Sequence, residues 1–253
     1  MKFADILAAL ALPNNTAVNQ RIPKKLLLEN GAPTASDKRS INEGIEEMSW
    51  LASLKPSNIA VPEIKTDDRE YLEIAVASMC LRPKAKSARL VELMHRSIPY
   101  PLVLISEQEG TITLSLAHKR ISKNESGQMV LDSLPVTETF GPDPLPRSEK
   151  DFLAAIALAS QPAANLFTLY QGWLDRMADL SAARVTGSFA IAPNTGCSDA
   201  KRAAFAEYVS LKQEIAVLRA QTEKETQLSR RAEMNLAIHA LETRMRQILA
   251  LFS

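Results

Sequence analysis

The period of the apolar residues changes along the chain, and each change predicts a different kind of element. The first apolar stripe has helical spacing, and Pro13 after it predicts a short N-terminal docking helix. Residues 71–81 instead alternate with period two and are apolar or small on both faces, as in a buried strand. From residue 148 onward the period is helical again. The N-terminal stripe consists of Phe3, Ile6, Leu7 and Leu10.

The pattern is weaker between the first helix and the buried strand. Residues 14–33 carry Asn-Asn, Asn-Gly and two prolines and are expected to form a loop. Ser40 and Glu43 have capping-box spacing, and the apolar residues that follow predict a short helix over residues 36–48. Residues 50–54 are then expected to form a strand.

The middle of the chain predicts a strand-helix-strand unit. The strand over residues 71–81 ends at Pro83, and a helix follows over residues 87–98, capped by Ser87. Residues 102–105 form a second apolar strand. Two strands joined by a helix in this way are expected to be parallel neighbours with a right-handed crossover.

A hairpin continues this unit. Residues 107–110 read as a turn, and residues 111–117 alternate as an antiparallel strand. Another short strand is expected within residues 129–140. The proline-rich residues 141–146 predict a stiff linker that closes the α/β part.

Helices dominate after the linker. One helix is expected to begin at Ser148 and another at Pro162, followed by a loop over residues 184–196 with a short strand at 188–191. The second of these helices has a strong apolar stripe. That stripe consists of Leu166, Leu169, Tyr170, Trp173, Met177 and Leu180.

Residues 200–253 contain neither Gly nor Pro and predict a coiled-coil-like helical arm. The polar residues 222–231 separate two apolar stripes that differ in heptad phase, so the arm is either one helix of about 75 Å or a broken helical hairpin. The missing Gly and Pro favour the continuous form slightly. The predicted association stripe is Leu211, Ile215, Leu218, Ile238, Leu241, Met245, Ile248 and Phe252.

These elements predict an α+β protein. A mixed β-sheet core with a strand-helix-strand-hairpin unit is followed by an α-helical C-terminal half that ends in the arm. The expected boundaries are residues 1–146 for the α/β domain, 147–199 for a helical pair and loop, and 200–253 for the arm.

Composition narrows the class of protein. The 253 residues are 46% apolar and 23% charged with a net charge of +1, which predicts a folded chain without a global pull toward nucleic acid or lipid. Two cysteines and three separated histidines predict no disulfide framework, metal site or cofactor. No apolar run is long enough for a membrane span, and the N-terminal stripe is too short for a secretion signal. A cytoplasmic protein is expected.

No catalytic residue is expected. The acidic residues before the buried strand suggest a nuclease. Such a site needs a carboxylate and a lysine two residues apart on one strand face, where this strand has Ala77, Ser78, Met79 and Cys80. Cys80 is expected to be buried, and His95 and His118 to lie at the surface. The acidic residues and the lysines after the strand are Asp67, Asp68, Glu70, Glu73, Lys84 and Lys86.

Basic residues offer two candidate binding patches. Arg21, Lys24 and Lys25 surround the constrained Pro23 and are joined in one predicted patch by Lys119 and Arg120, while Lys84, Lys86 and Arg89 form a second. Phosphate contact and partner docking are both open, and a merely solvated face is the commoner role of such charges.

Four blocks of the sequence resemble the bacterial Domain of Unknown Function 4391 family over essentially the full length. The resemblance adds Asn19 to the candidate binding residues, because it lies in the first block. The blocks are Val18-Asn-Gln-Arg-Ile-Pro-Lys-Lys25, Ile45-Glu-Glu-Met-Ser-Trp50, Ser97-Ile-Pro-Tyr-Pro101 and residues 222–236.

The resemblance implies a cytoplasmic accessory protein of restriction-like or phage-defence loci, without an established activity. The resemblance also implies acidic and lysine residues on the strand that matches residues 73–81, where this chain has Met79 and Cys80, and this departure argues further against catalysis. The leading hypothesis is a non-catalytic subunit that docks a helicase or DNA methyltransferase, with the arm associating with that partner or with a second copy. The alternative is a nucleic-acid-binding or nuclease module.

Overall fold

The computed structural model describes residues 3–31, 33–122, 128–141, 144–191, 195–225 and 227–250. Contacts divide the chain into two compact units, Met1–Met177 and Ala178–Ser253. The predicted boundaries after residues 146 and 199 differ from this division, because residues 147–177 belong to the unit that contains the sheet. The helices are α1 (Phe3–Leu10), α2 (Lys24–Asn30), α3 (Ala35–Gly44), α4 (Pro56–Ile59), α5 (Ser87–Ser97), α6 (Arg147–Ala155), α7 (Leu166–Thr186), α8 (Thr195–Lys224) and α9 (Leu228–Ala250).

A mixed six-stranded sheet forms the centre of the first unit, in the order β1-β2-β5-β6-β7-β10. The pair β5–β6 is parallel and connected through α5, and the other pairs are antiparallel. The α+β class and the strand-helix-strand-hairpin unit are therefore confirmed. The strands are β1 (Ala17–Arg21), β2 (Ile45–Leu54), β3 (Ile64–Lys65), β4 (Glu70–Tyr71), β5 (Ile74–Leu81), β6 (Leu102–Gln108), β7 (Thr111–Ala117), β8 (Lys119–Ile121), β9 (Met129–Leu131) and β10 (Val136–Phe140).

Helices α2, α3 and α5 cover one face of the sheet. Alternate residues of β5 point into this layer, and Leu90, Leu93 and Met94 of α5 meet them. Each fully buried aliphatic side chain contributes about 1.5–3 kcal/mol to folding. The β5 residues in this core are Ala75, Ala77, Met79 and Leu81.

The opposite face is covered by other helices. Val103 and Ile105 of β6 are buried outside the first core, and α1 contacts both β6 and α6. From α7, the Tyr170 hydroxyl donates to the carbonyl of Leu102 at 2.7 Å and accepts from the amide of Ala117 at 2.9 Å. These bonds fix α7 to the sheet. The predicted apolar stripe of α7 is buried throughout.

Several sequence predictions need correction near the N-terminus. The expected loop over residues 14–33 contains β1 and α2. The expected helix over 36–48 ends at Gly44, and β2 begins at Ile45, because pairing with β5 satisfies the backbone of that segment. Thr34, and not Ser40, caps α3 by accepting from the amide of Asp37 at 3.1 Å.

Later segments also differ from the prediction. Residues 129–140 contain two strands, β9 and β10, where one was expected. No strand forms at residues 188–191, and the helix expected from Pro162 begins at Leu166. Within the described residues, no helix combines the length and the apolar character needed to cross a bilayer.

A helical hairpin occupies the second unit. Helices α8 and α9 contact each other, and residues 225–227 separate them. The carboxylate of Glu225 accepts from the amide of Gln227 at 2.9 Å inside this break. The slight preference for one continuous helix is therefore wrong, because the polar break turns the chain back without Gly or Pro.

Candidate functional site

Predicted basic residues meet at one end of the sheet. Strands β1, β5 and β6 point the same way, because β2 is antiparallel to both β1 and β5. Arg21 ends β1, and Arg82 follows β5 at the same end of the sheet. We call this end the cationic edge. It comprises Arg21, Lys24, Arg82, Lys84 and Lys86.

Lys24 lies at the centre of the cationic edge. Its ammonium donates to the carbonyls of Asn42, at 3.1 Å, and Ile45, and it thereby caps the end of α3. Partial burial lowers the pKa of Lys24, and the positive charges of Arg82 and Arg21 lower it further. Three cations from three elements therefore lie close together, although the sequence separates Arg82 from the other two.

The loop between β5 and α5 holds the remaining cations. The side-chain amide of Gln108 donates to the carbonyls of Arg82 at 3.1 Å and Ala85 at 3.0 Å. The amide of Arg82 also donates to the carbonyl of Gly44 at 2.8 Å. These bonds fix the loop while Lys84 and Lys86 remain exposed.

Two other predicted binding residues, Asn19 and Lys25, lie near this edge, but the first is uncharged and the second is ion-paired. Asn19 is exposed in β1 at a bulge, with a φ of 50° that asparagine tolerates better than most residues. Lys25 is exposed and pairs with Glu29 at 3.5 Å along α2. Of the second predicted patch, Arg89 is instead bonded to Asp37 and Glu92, each at 2.8 Å.

Lys119 does not belong to a surface patch, which corrects the sequence prediction. Its side chain is 1% exposed, and its ammonium donates to the carbonyls of His95 and Ile98 at the end of α5. Burial lowers the pKa of Lys119 to about 7. Its role in the fold is to satisfy carbonyls that a helix end leaves without partners.

Arg120 is also separated from the predicted patch. It pairs with Asp132 at 3.6 Å, and the same carboxylate accepts from Arg69 at 2.8 Å. The guanidinium of Arg69 lies 5.3 Å from the ring centre of Phe167. Arg120 therefore belongs to an ion-pair network around β4 and β9.

Both expected surface histidines are covered, so that prediction is wrong. His95 is fully buried, with its Nε2 3.0 Å from the Ser115 hydroxyl, and burial followed by the Lys119 charge lowers its pKa to about 3. His118 is half-buried. Its Nδ1 lies 2.5 Å from the Tyr71 hydroxyl and its Nε2 2.8 Å from Gln171 Oε1.

Tyr71, His118, Gln171 and Asp175 form a network of hydrogen bonds that the sequence did not predict. The partners of His118 lie 47 and 53 residues away, so no local spacing indicates them. Gln171 in turn donates to Asp175 at 2.8 Å. This hydrogen-bond network links β4, the β7–β8 junction and α7. Burial also raises the pKa of Tyr71. The contacts of His118 with Tyr71 and Gln171 connect separate elements of the fold.

Cys80 is half-buried, where full burial was expected. Its sulfur lies 3.9 Å from a Glu46 carboxylate oxygen. Burial, followed by the charges of Glu46 and Glu107, raises the pKa of the thiol. A raised pKa reduces the thiolate fraction, so this setting does not activate a nucleophile.

The acidic segment before β5 is engaged in ion pairs. Glu70 pairs with Lys65 at 3.1 Å, and Glu73 pairs with Lys55 at 3.2 Å. Asp68 lies 3.5 Å from Arg69. Among the described residues, no group of three or more His, Cys, Asp and Glu is placed to hold a metal ion.

The predicted association stripe divides between the two arm helices. Ile215, Ile238 and Ile248 are buried, whereas Leu211, Leu218, Leu241 and Met245 are half-buried. Phe252 lies outside the described residues. Ion pairs of Arg219 with Glu242 at 2.6 Å and of Arg244 with Glu207 at 2.7 Å also join α8 to α9. Much of the stripe is therefore covered within the hairpin.

The opposite face of α9 is apolar at its centre. Leu236 is 73% exposed and lies two residues, or about 200°, from the inward-facing Met234 and Ile238. Ala232 and Ala240 flank it one turn away on either side and are exposed. On α8, Val217 is 57% exposed and lies outside the buried seam.

Comparison with protein families matches residues 10–245 to the family described as Domain of unknown function (DUF4391). No curated protein and no solved structure matches the chain.

Proposed function

Because the chain belongs to the DUF4391 family, we propose that it is a non-catalytic accessory subunit of a bacterial anti-phage or restriction-like complex in the cytoplasm. In this role it docks a helicase-like or DNA methyltransferase subunit. The outward face of α9, centred on Leu236, is the docking surface.

The observation that carries this proposal is the exposure of Leu236. A leucine that is 73% exposed leaves most of its apolar surface in water, on a helix whose inward stripe is already covered by α8. Burying one such side chain against a partner yields about 1.5–3 kcal/mol before the cost of association. That gain makes Leu236 the anchor residue of the proposed docking surface.

The neighbours of Leu236 suit the approach of a partner helix. Ala232 and Ala240 are small, so a second helix can pack closely on either side of the leucine. Glu233 and His239 are exposed, lie three residues from Leu236 and about 60° to either side of it, and form a polar rim. Central apolar contacts within a polar rim are typical of protein interfaces.

The test is co-purification of the full-length chain with tagged helicase-like and DNA methyltransferase subunits encoded beside it. Leu236→Lys should abolish recovery of the partner, because it places a charge at the centre of the contact. Asn235→Lys is the matched control, since it adds the same charge at the neighbouring exposed position. Equal recovery of both variants with the partner would refute the docking surface.

Self-association through the same face is a separate outcome. If sedimentation shows a dimer of the purified chain that Leu236→Lys dissociates, while partner recovery is unaffected, the surface binds a second copy and is not the docking surface for the partner.

A further inference from the structure

The cationic edge lacks the carboxylate partners found elsewhere on the first unit. Several exposed Lys and Arg side chains of that unit lie within 4 Å of a carboxylate, including Lys55, Lys65 and Arg96. In the part of the chain that the structure describes, none of the five edge cations has such a partner. The five cations are therefore grouped at one end of the sheet without a direct ion pair to a carboxylate.

The edge is too wide for a single phosphate group. Strand β2 lies between β1 and β5, and the pairing sets Arg21 level with Ser78. Arg21 and Arg82 are therefore separated by two strand spacings, about 10 Å, across the sheet and by four residues, about 13 Å, along it. Pro23 precedes Lys24 and Pro83 precedes Lys84, which restricts the backbone at both places. Cations held at fixed, separated positions match a row of phosphates.

We propose that the cationic edge binds the phosphodiester backbone of a nucleic acid, with Arg82, Lys84 and Lys86 making the principal contacts. Like charges without counter-ions repel one another, and backbone phosphates would relieve that repulsion. The contacts reach phosphates and not base edges, so binding is independent of sequence.

The composition of the edge loops favours nucleic acid over an acidic protein surface. The large exposed apolar side chains of the first unit, such as Leu72, Tyr100 and Leu134, are not on the edge loops. Protein interfaces usually have an apolar or aromatic centre, which these loops do not supply. Backbone recognition of nucleic acid needs only the cations.

Nearby carboxylates define the limits of the surface. Glu46 and Glu47 line a cavity of about 470 Å³ together with Arg21 and Lys24. Glu107 and Cys80 alternate with Leu104 and Met79, which face α5, so they point to the other side of the sheet. Glu43 lines a cavity of about 250 Å³ with Lys84 and Lys86, and its carboxylate is paired with Arg39 at 2.9 Å.

The test measures binding of fluorescent 20-base-pair DNA and RNA duplexes to the full-length chain between 50 and 300 mM salt. Lys84→Ala/Lys86→Ala should weaken binding about tenfold or more at 50 mM salt and reduce the slope of log K against log salt by about 0.9 for each lost contact. A preference for DNA or RNA would identify the source of the backbone.

The matched control is Lys55→Ala/Lys65→Ala, which removes the same charge near the opposite end of β5 and should leave binding within twofold. Glu46→Gln/Glu47→Gln should tighten binding, because it removes negative charge beside Arg21 and Lys24. Absent binding by the unaltered chain, or equal losses in both lysine pairs, would overturn the proposal. The proposal would also be overturned if Lys84→Ala/Lys86→Ala weakened binding of an acidic protein and left binding of the duplexes unchanged.

This inference is independent of the docking face on α9. The edge lies in the first unit and Leu236 in the second, so the Leu236→Lys variant should bind the duplexes as the unaltered chain does. Failure of one proposal would therefore leave the other open to its own test.

Discussion

Lys119 and His95 are buried side by side, with the ammonium of Lys119 donating to the backbone carbonyl of His95. Burial lowers the pKa of both side chains, to about 7 for Lys119 and about 3 for His95. The contact fixes the end of α5 to β8. It explains why a lysine that the sequence presents as a surface charge belongs to the interior.

Replacing Lys119 should destabilise the protein. Lys119→Met keeps much of the side-chain length but leaves the buried carbonyls of His95 and Ile98 without a donor, which predicts a loss of about 2 kcal/mol in the free energy of unfolding. Urea denaturation of both proteins measures this difference. Arg120→Met is the control and should cost only about 0–1 kcal/mol. Unchanged or increased stability of Lys119→Met would contradict the capping role.

His95 should make the fold sensitive to acid. Its pKa is about 3 when folded and about 6.5 in a model peptide, so the unfolded chain binds more protons between these values. The stabilising contribution of neutral His95 is therefore present above pH 6.5 and is lost as the pH falls toward 3. His95→Gln removes this titration, and its stability relative to the unaltered chain should rise progressively below pH 6.5. The free energy of unfolding of both proteins is measured by urea denaturation at several pH values. If the difference between them did not change with pH, His95 would not be the group that makes the fold sensitive to acid.

Gly31 should not tolerate a side chain. A Cβ at this position would lie 1.8 Å from the Ser97 hydroxyl and 3.0 Å from the Leu93 carbonyl, where the end of α2 meets α5. Gly31→Ala should therefore lower the free energy of unfolding by about 1–3 kcal/mol. Ser97→Ala in the same chain should recover part of the loss, because it removes the closest atom.

Gly141→Ala provides the control for that substitution, since its added Cβ meets nothing within 4 Å. Its thermal unfolding should be nearly unchanged. If Gly31→Ala were equally neutral, the close approach of α2 and α5 would not exist in solution.

The central sheet could be read from the sequence because its residues repeat with a clear local period. Met79 and Leu81 alternate with residues of the other face, and β5, α5, β6 and β7 were all predicted close to their observed bounds. Strand β1 could not be recognised, because as an exposed edge strand it buries almost nothing and has no alternation. A bulge at Asn19 interrupts its pairing as well.

The candidate sites were harder to predict because tertiary contacts decide them. Lys119 follows His118 and precedes Arg120, so its local sequence indicates a charged surface, while its actual partners lie 21 and 24 residues earlier. Arg82 joins Lys24 only through the folding of α3 against the sheet. Neither relationship has a signature in residue spacing.

The proposed docking role is tested most directly by calorimetric titration of the purified full-length chain with a purified helicase-like or DNA methyltransferase subunit from its own locus. The account predicts a Kd that Leu236→Lys raises about tenfold or more, which corresponds to about 1.4 kcal/mol, and that Asn235→Lys changes less than twofold. A Kd that is the same for the unaltered chain and Leu236→Lys, or no binding to either kind of subunit, would contradict it.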